Sequence, residues 1–185
     1  MKLLFSVAST PLIFVASVLL IIGAAEARTA AHARTTESRR AIAIGPWEIE
    51  ASFTKQRKFD RCAMSRTIEE GIETRLTRDK EGLSLTMSSP RWQLPRGKKY
   101  PVEFVAGQVS CDGKVAATNE TINISLTDIN FNEALKSAEM LEVRAAGKTI
   151  IVPLEKSAAA LTRLESCYET NSKAVETNPF ASPKP

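Results

Sequence analysis

The 185-residue chain sets 25 Lys and Arg against 21 Asp and Glu, a net charge of +4, and holds three cysteines and one histidine. That histidine, His32, stands in a short unpatterned stretch near the start. The patterned remainder therefore lacks the commonest general base near neutral pH, which excludes Ser-His-Asp and Cys-His catalysis and a histidine-rich zinc site there.

The chain opens on Lys2, runs through an apolar stretch from Leu12 to Ile22 broken only by Ser17, and reaches Gly23, Ala24, Ala25, Glu26 and Ala27. A charged start, an apolar middle and small residues at the cut are the parts of a secretory signal peptide. The Ala25-x-Ala27 pair places cleavage after Ala27. The alternative is a retained anchor, since apolar residues extend back to Leu3 and about 20 such residues span a bilayer; Pro11 interrupts that run. Either reading carries the rest of the chain beyond the membrane, so the expected location is periplasmic or secreted.

Residues 28–41, RTAAHARTTESRRA, have no apolar period and predict a flexible basic lead. Arg28, Arg34, Arg39 and Arg40, opposed only by Glu37, hold most of the excess charge. A single β-rich domain is expected over 42–170, a usual domain size. The tail 171–185 ends in NPFASPKP, whose three prolines predict a disordered end.

Alternating or β-branched segments predict strands at WEIEASF from Trp47, RCAMSRTI from Arg61, IETRLTR from Ile72 and LSLTMS from Leu83. Turns at Glu69-Glu70-Gly71 and Asp79-Lys80-Glu81-Gly82, the latter with Gly82 suited to positive φ, make the last three an antiparallel meander. YPVEFVAG from Tyr100, GKVAAT from Gly113 and TINISLTDI from Thr121 continue the pattern, with SCDGK around Cys111 expected as a turn. A short helix is predicted near 132–140, capped by Asn132. LEVRAA and TIIVPL follow as strands, and a final helix from Ser157, its expected N-cap, to about Glu169 repeats Leu161, Leu164 and Cys167/Tyr168 on one face. The fold class is mainly β: an antiparallel sandwich or partly open barrel with the C-terminal helix packed on the sheet.

In an exporting compartment disulfides form and persist. The favoured pair is Cys62 with Cys167, closing a loop of about 105 residues worth up to about 4.7 kcal/mol in the chain-entropy model. Cys111 with Cys62 remains open as an alternative.

No catalytic, cofactor-binding or metal residues are assigned. The glycines sit singly in turns, not in phosphate-binding spacing, and the cysteines lack finger spacing. Carboxylate pairs such as Glu48 with Glu50 and Glu69 with Glu70, together with Asp60, are the remaining candidates for acid chemistry on a polysaccharide, and their more common role is a solvated face. The most suggestive surface feature is SSPRWQLPRGKKYPV, a candidate binding loop in which Arg91, Arg96, Lys98 and Lys99 surround Trp92 and Tyr100. Cations among aromatics can grip an anionic glycan or lipid headgroup. Against this, Trp92 can fill the core while the lysines are merely solvated.

An exported chain with Trp47, then Cys62, then SPRWQLPRGKKYPV, and finally PLEKSAAALTRLESC resembles the small periplasmic alphaproteobacterial proteins related to the invasion-associated locus B family. Two points depart from that pattern: Cys111 has no counterpart, and Glu155-Lys156 stands where a glycine is expected. The resemblance implies an envelope-associated β-sandwich without catalytic residues, in some members linked to host-cell invasion. It implies that Asn119-Glu-Thr and Asn123-Ile-Ser are ordinary residues rather than glycosylation sites. An envelope protein or an anionic glycan or lipid is the expected kind of partner, and nucleic acid is not.

Overall fold

Period-two alternation turns into strand pairing throughout the residues that the computed structural model describes, 37–38 and 41–176, with side chains from 41 to 173. The expected signal segment 1–27, most of the lead 28–41 and the tail after Glu176 lie outside the described residues.

The elements in chain order are β1 (Glu37–Ser38), β2 (Ile42–Ile44), β3 (Trp47–Phe53), β4 (Phe59–Thr67), a 3-10 turn (Glu69–Gly71), β5 (Glu73–Asp79) and β6 (Gly82–Ser88). There follow β7 (Lys99–Ala106), β8 (Val109–Thr118), β9 (Thr121–Ser125), α1 (Ile129–Ser137), β10 (Met140–Ala145), β11 (Lys148–Pro153) and α2 (Ser157–Glu176). All strands join one antiparallel sheet in the order β1-β3-β4-β5-β6-β9-β8-β7-β10-β11, with β2 pairing the start of β3. The sheet is continuous and unclosed, the partly open form of the expected architecture.

One row of side chains shows why the register holds. Ile49 lies opposite Met64, Met64 opposite Leu76, Leu76 opposite Leu85 and Leu85 opposite Ile124, so one apolar row crosses five strands. A slip of one residue would turn every member of that row to the other face. Phe104, Val115, Leu141 and Val152 extend the same core.

Helix α2 adds Ala160, Leu161 and Leu164, all buried, and is tied to β4 by the Cys62–Cys167 disulfide. Truncating a leucine buried like Leu164 costs about 2–5 kcal/mol. The Arg78 guanidinium stacks 4.4 Å from the Tyr168 ring centroid and pairs with Glu165 at 3.2 Å, holding the helix on its outer side.

Several local expectations change. Glu37 and Ser38, placed in the flexible lead, pair with Phe53 and Ser52, and Ile42–Ile44 forms a strand of its own. Cys111, expected in a turn, lies within β8 opposite Phe104. Helix α1 starts earlier than expected, because Asp128 accepts from the Phe131 N–H and is the N-cap; Asn132 instead donates to the Leu126 carbonyl. Ser157 does not cap α2: its buried hydroxyl donates to the Leu135 carbonyl at 2.9 Å and joins the two helices. Helix α2 also continues past Asn171 to Glu176, since the first proline of the tail is Pro179.

Candidate functional site

The segment after β6 is fixed to the sheet by its backbone. Leu94 N–H donates to Asn119 O at 2.7 Å, Gly97 N–H to Ala117 O at 3.0 Å, and Ala117 N–H to Lys98 O at 3.2 Å. Residues 94–98 thereby continue the line of β7 along the end of β8. Trp92 and Tyr100 are half-buried against the core, and the Lys98 ammonium sits 5.2 Å from the Tyr100 ring centroid. Arg91, Arg96, Lys98 and Lys99 are exposed, and none of them has an acidic partner among the described residues. The aromatic rings thus serve mainly as anchors, while the cations face solvent on a held backbone.

Beside this segment lies a shallow trough of about 760 Å³ on the outer face, between β7–β8 and the β10–β11 hairpin. Lys114, Arg144 and Lys148 line it together with Glu103 and Asp112. Arg144 pairs with Glu142 at 2.8 Å and Glu103 at 3.1 Å. Hydrogen bonds to Glu142 and Glu103 raise its pKa, so it remains cationic. Sequence reasoning missed this trough, although outward alternation at Lys99, Pro101 and Glu103 was a usable signal.

The candidate acids are divided among separate settings. Glu50 accepts from Arg75 at 2.9 Å, and the same guanidinium holds Glu73 at 2.7 Å. Burial, the largest single effect, works to lower the Arg75 pKa, but the two carboxylates outweigh it and the net direction is up. Asp60 pairs with Arg61, Glu48 is exposed, and Glu69 and Glu70 lie in the exposed 3-10 turn, with Glu70 at φ 62°. Among the described residues no three His, Cys, Asp or Glu side chains gather as a metal site, and no helix is long and apolar enough to cross a membrane.

The fold is similar to that of invasion associated protein B from Bartonella henselae. The superposition has a TM-score of 0.54 at 18% identity and covers 69% of this chain and 96% of that one. No family model matches the chain, and no curated protein does.

In the structure, the sequence segments that carry the resemblance form the β6–β7 connection and the β11–α2 junction. At that junction Lys156, where a glycine was expected, has φ 60°, the left-handed region that glycine occupies without strain. Its side chain crosses Gly45, where an added Cβ would come within 2.9 Å of Lys156 Cγ. Cys111 is half-buried and unbridged. Asn119 stands in the β8–β9 turn, while Asn123 donates to Thr86 at 2.7 Å.

Proposed function

We propose that this protein is an exported, envelope-associated binding module that does not itself catalyse a reaction. The observation that carries the proposal is the Cys62–Cys167 bridge, which ties the last helix to a buried strand position. Such a cross-link persists in an oxidising compartment and is reduced in a cytosol. The signal-like first 27 residues and the fold shared with an invasion-associated protein support the same address. Binding is favoured over hydrolysis because Glu50 and Asp60 are engaged by arginines, whereas the cations of the 91–99 segment are presented outward.

Intact mass of protein from a periplasmic extract, with and without reduction and thiol labelling, tests the proposal. A chain beginning at or near Arg28 with one bridge and one labelled cysteine is expected. A full-length cytoplasmic species with three free thiols would overturn it.

A further inference from the structure

We infer that the outer face from Arg96 to Lys148 binds an anionic polysaccharide, laid along the 96–99 segment and into the trough beside it. The inference rests on the envelope reading above and names its partner class.

Two independent features meet on this face. The first is the run of exposed cations without acidic partners among the described residues, carried on backbone that is hydrogen-bonded to β8. The second is the trough, whose floor and rim add Lys114 and Lys148. Register joins them: Lys99 lies opposite Ala116, and Pro101 opposite Lys114. Lys99 and Lys114 are therefore diagonal neighbours on one face, about 7–8 Å apart at Cα. Two lysines without ion pairs among the described residues, rooted on neighbouring strands of one face, can both reach an anion lying between them.

The acids of the face do not cancel this charge. Glu103 and Glu142 share Arg144, and Asp112 is the acid of the trough without an ion pair among the described residues; against these three carboxylates stand Arg96, Lys98, Lys99, Lys114, Arg144 and Lys148. Glu120, in the β8–β9 turn, lies at the far end, where its carbonyl accepts from Ser89 N–H.

The surface suits a polymer better than a bilayer. Proteins that lie on membranes insert apolar side chains between headgroups. Here Trp92 and Tyr100 are packed against the core; of the exposed large apolar residues, Ile42 and Ile129 stand on other elements, and Met140 and Ile151 lie along β10–β11 away from the Ala145–Lys148 turn that borders the trough. An open trough continuing a cationic strip accommodates an extended chain of charged sugars, and at Gly147 an added Cβ would meet nothing within 4 Å.

The test uses the purified protein, bridge intact, titrated with a size-defined heparin oligosaccharide as polyanion, neutral dextran as control and vesicles of phosphatidylglycerol and phosphatidylcholine. Binding to heparin alone is expected. The double variant Lys99→Glu/Lys114→Glu should weaken it at least tenfold, and should flatten the slope of log affinity against log salt by about two, one for each lost contact with a polyanion. Lys55→Glu/Lys58→Glu, in the exposed β3–β4 turn, makes the same change in net charge and should leave affinity within about twofold, since surface charges beyond a Debye length of about 10 Å are screened.

Equal loss in both variants would show a response to net charge only and overturn the site. Binding to the vesicles but not to heparin would assign the face to a lipid surface and overturn it as well. A periplasmic, bridged protein that ignores heparin would end this inference and leave the envelope reading standing; a cytoplasmic, reduced one would end that reading whatever the affinity.

Discussion

The Arg66 guanidinium donates to the Pro153 carbonyl at 2.6 Å, joining β4 to the free end strand β11 across the mouth of the unclosed sheet. The same side chain stacks 5.3 Å from the Trp47 ring centroid, and Trp47 Nε1 donates to the Glu155 carbonyl at 2.9 Å. Two side chains from β3 and β4 thus hold the β11 end where no strand pairing does.

Arg66 also carries a cost. Its Nε is buried without a partner, and burial lowers its pKa against the opposing charge of Glu155. Arg66→Met removes the orphaned donor while keeping the stem over Trp47, so its stability in urea should fall by less than about 1 kcal/mol, the net worth of one hydrogen bond. Arg66→Ala loses stem and bond together, and about 1–2 kcal/mol is expected. If Arg66→Met proved as damaging as Arg66→Ala, the contact with Pro153 rather than the packing of the stem would be what holds the mouth.

Removal of the Cys62–Cys167 bridge bears on the whole fold, because it spans 105 residues. Native disulfides of small exported domains are worth about 2–5 kcal/mol. Alanine is the right replacement, since Cys62 is fully buried and a serine hydroxyl there would lack a partner. The Cys62→Ala/Cys167→Ala protein should unfold at lower urea by that amount and should not respond to reductant. The parent should fall to the same midpoint when reduced. A parent midpoint unmoved by reduction would mean that Leu161, Leu164 and the Arg78–Tyr168 stack hold α2 unaided.

Gly113, expected where the SCDGK turn passes into the strand GKVAAT, lies in mid-strand opposite Val102. What requires glycine there is close approach: a Cβ would collide with Ile124 Cδ1, across the sheet on β9. Gly113→Ala should therefore cost about 1–3 kcal/mol, the usual range for overpacking. Ile124→Val deletes the colliding atom, so the double variant should be more stable than the sum of the single losses implies. Simple additivity in that thermodynamic cycle would refute the collision.

The strands were legible because one buried face imposes period two: β3 has the expected bounds Trp47–Phe53, with Trp47 and Ile49 buried and Glu48 exposed between them, although Ser52 is buried out of phase. Helix α1 was harder, since Asp128 and Asn132 are both good caps and only the folded position of the Phe131 N–H decides between them. The short β2 has too few residues to show a period. For the candidate site, charge type was legible but pairing was not. Arg78, Arg144 and Lys99 look alike in sequence, yet Arg78 meets Glu165, 87 residues away, Arg144 meets Glu103, and Lys99 meets no acid among the described residues. Long-range pairing separates a structural cation from an available one, and it depends on the sheet order.

Cys111 gives a pH-dependent prediction. Burial, then the charges of Asp128 and Asp112, push its thiol pKa above the ordinary value, because each disfavours the thiolate. The thiolate is the reactive form, so alkylation by iodoacetamide at a given neutral pH should be slower in the folded protein than in denaturant, and the two rates should converge only at alkaline pH. The folded state keeps this proton longer than the unfolded one. The stability linked to it is thus fully present below the unfolded thiol's pKa and is lost as pH rises through the folded value. Asp128→Asn removes one of the opposing charges while keeping a good N-cap for α1, and should speed alkylation of the native protein without moving its urea midpoint by more than a few tenths of a kcal/mol. Equal alkylation rates for folded and denatured protein across the pH range would show that neither burial nor these aspartates govern the thiol.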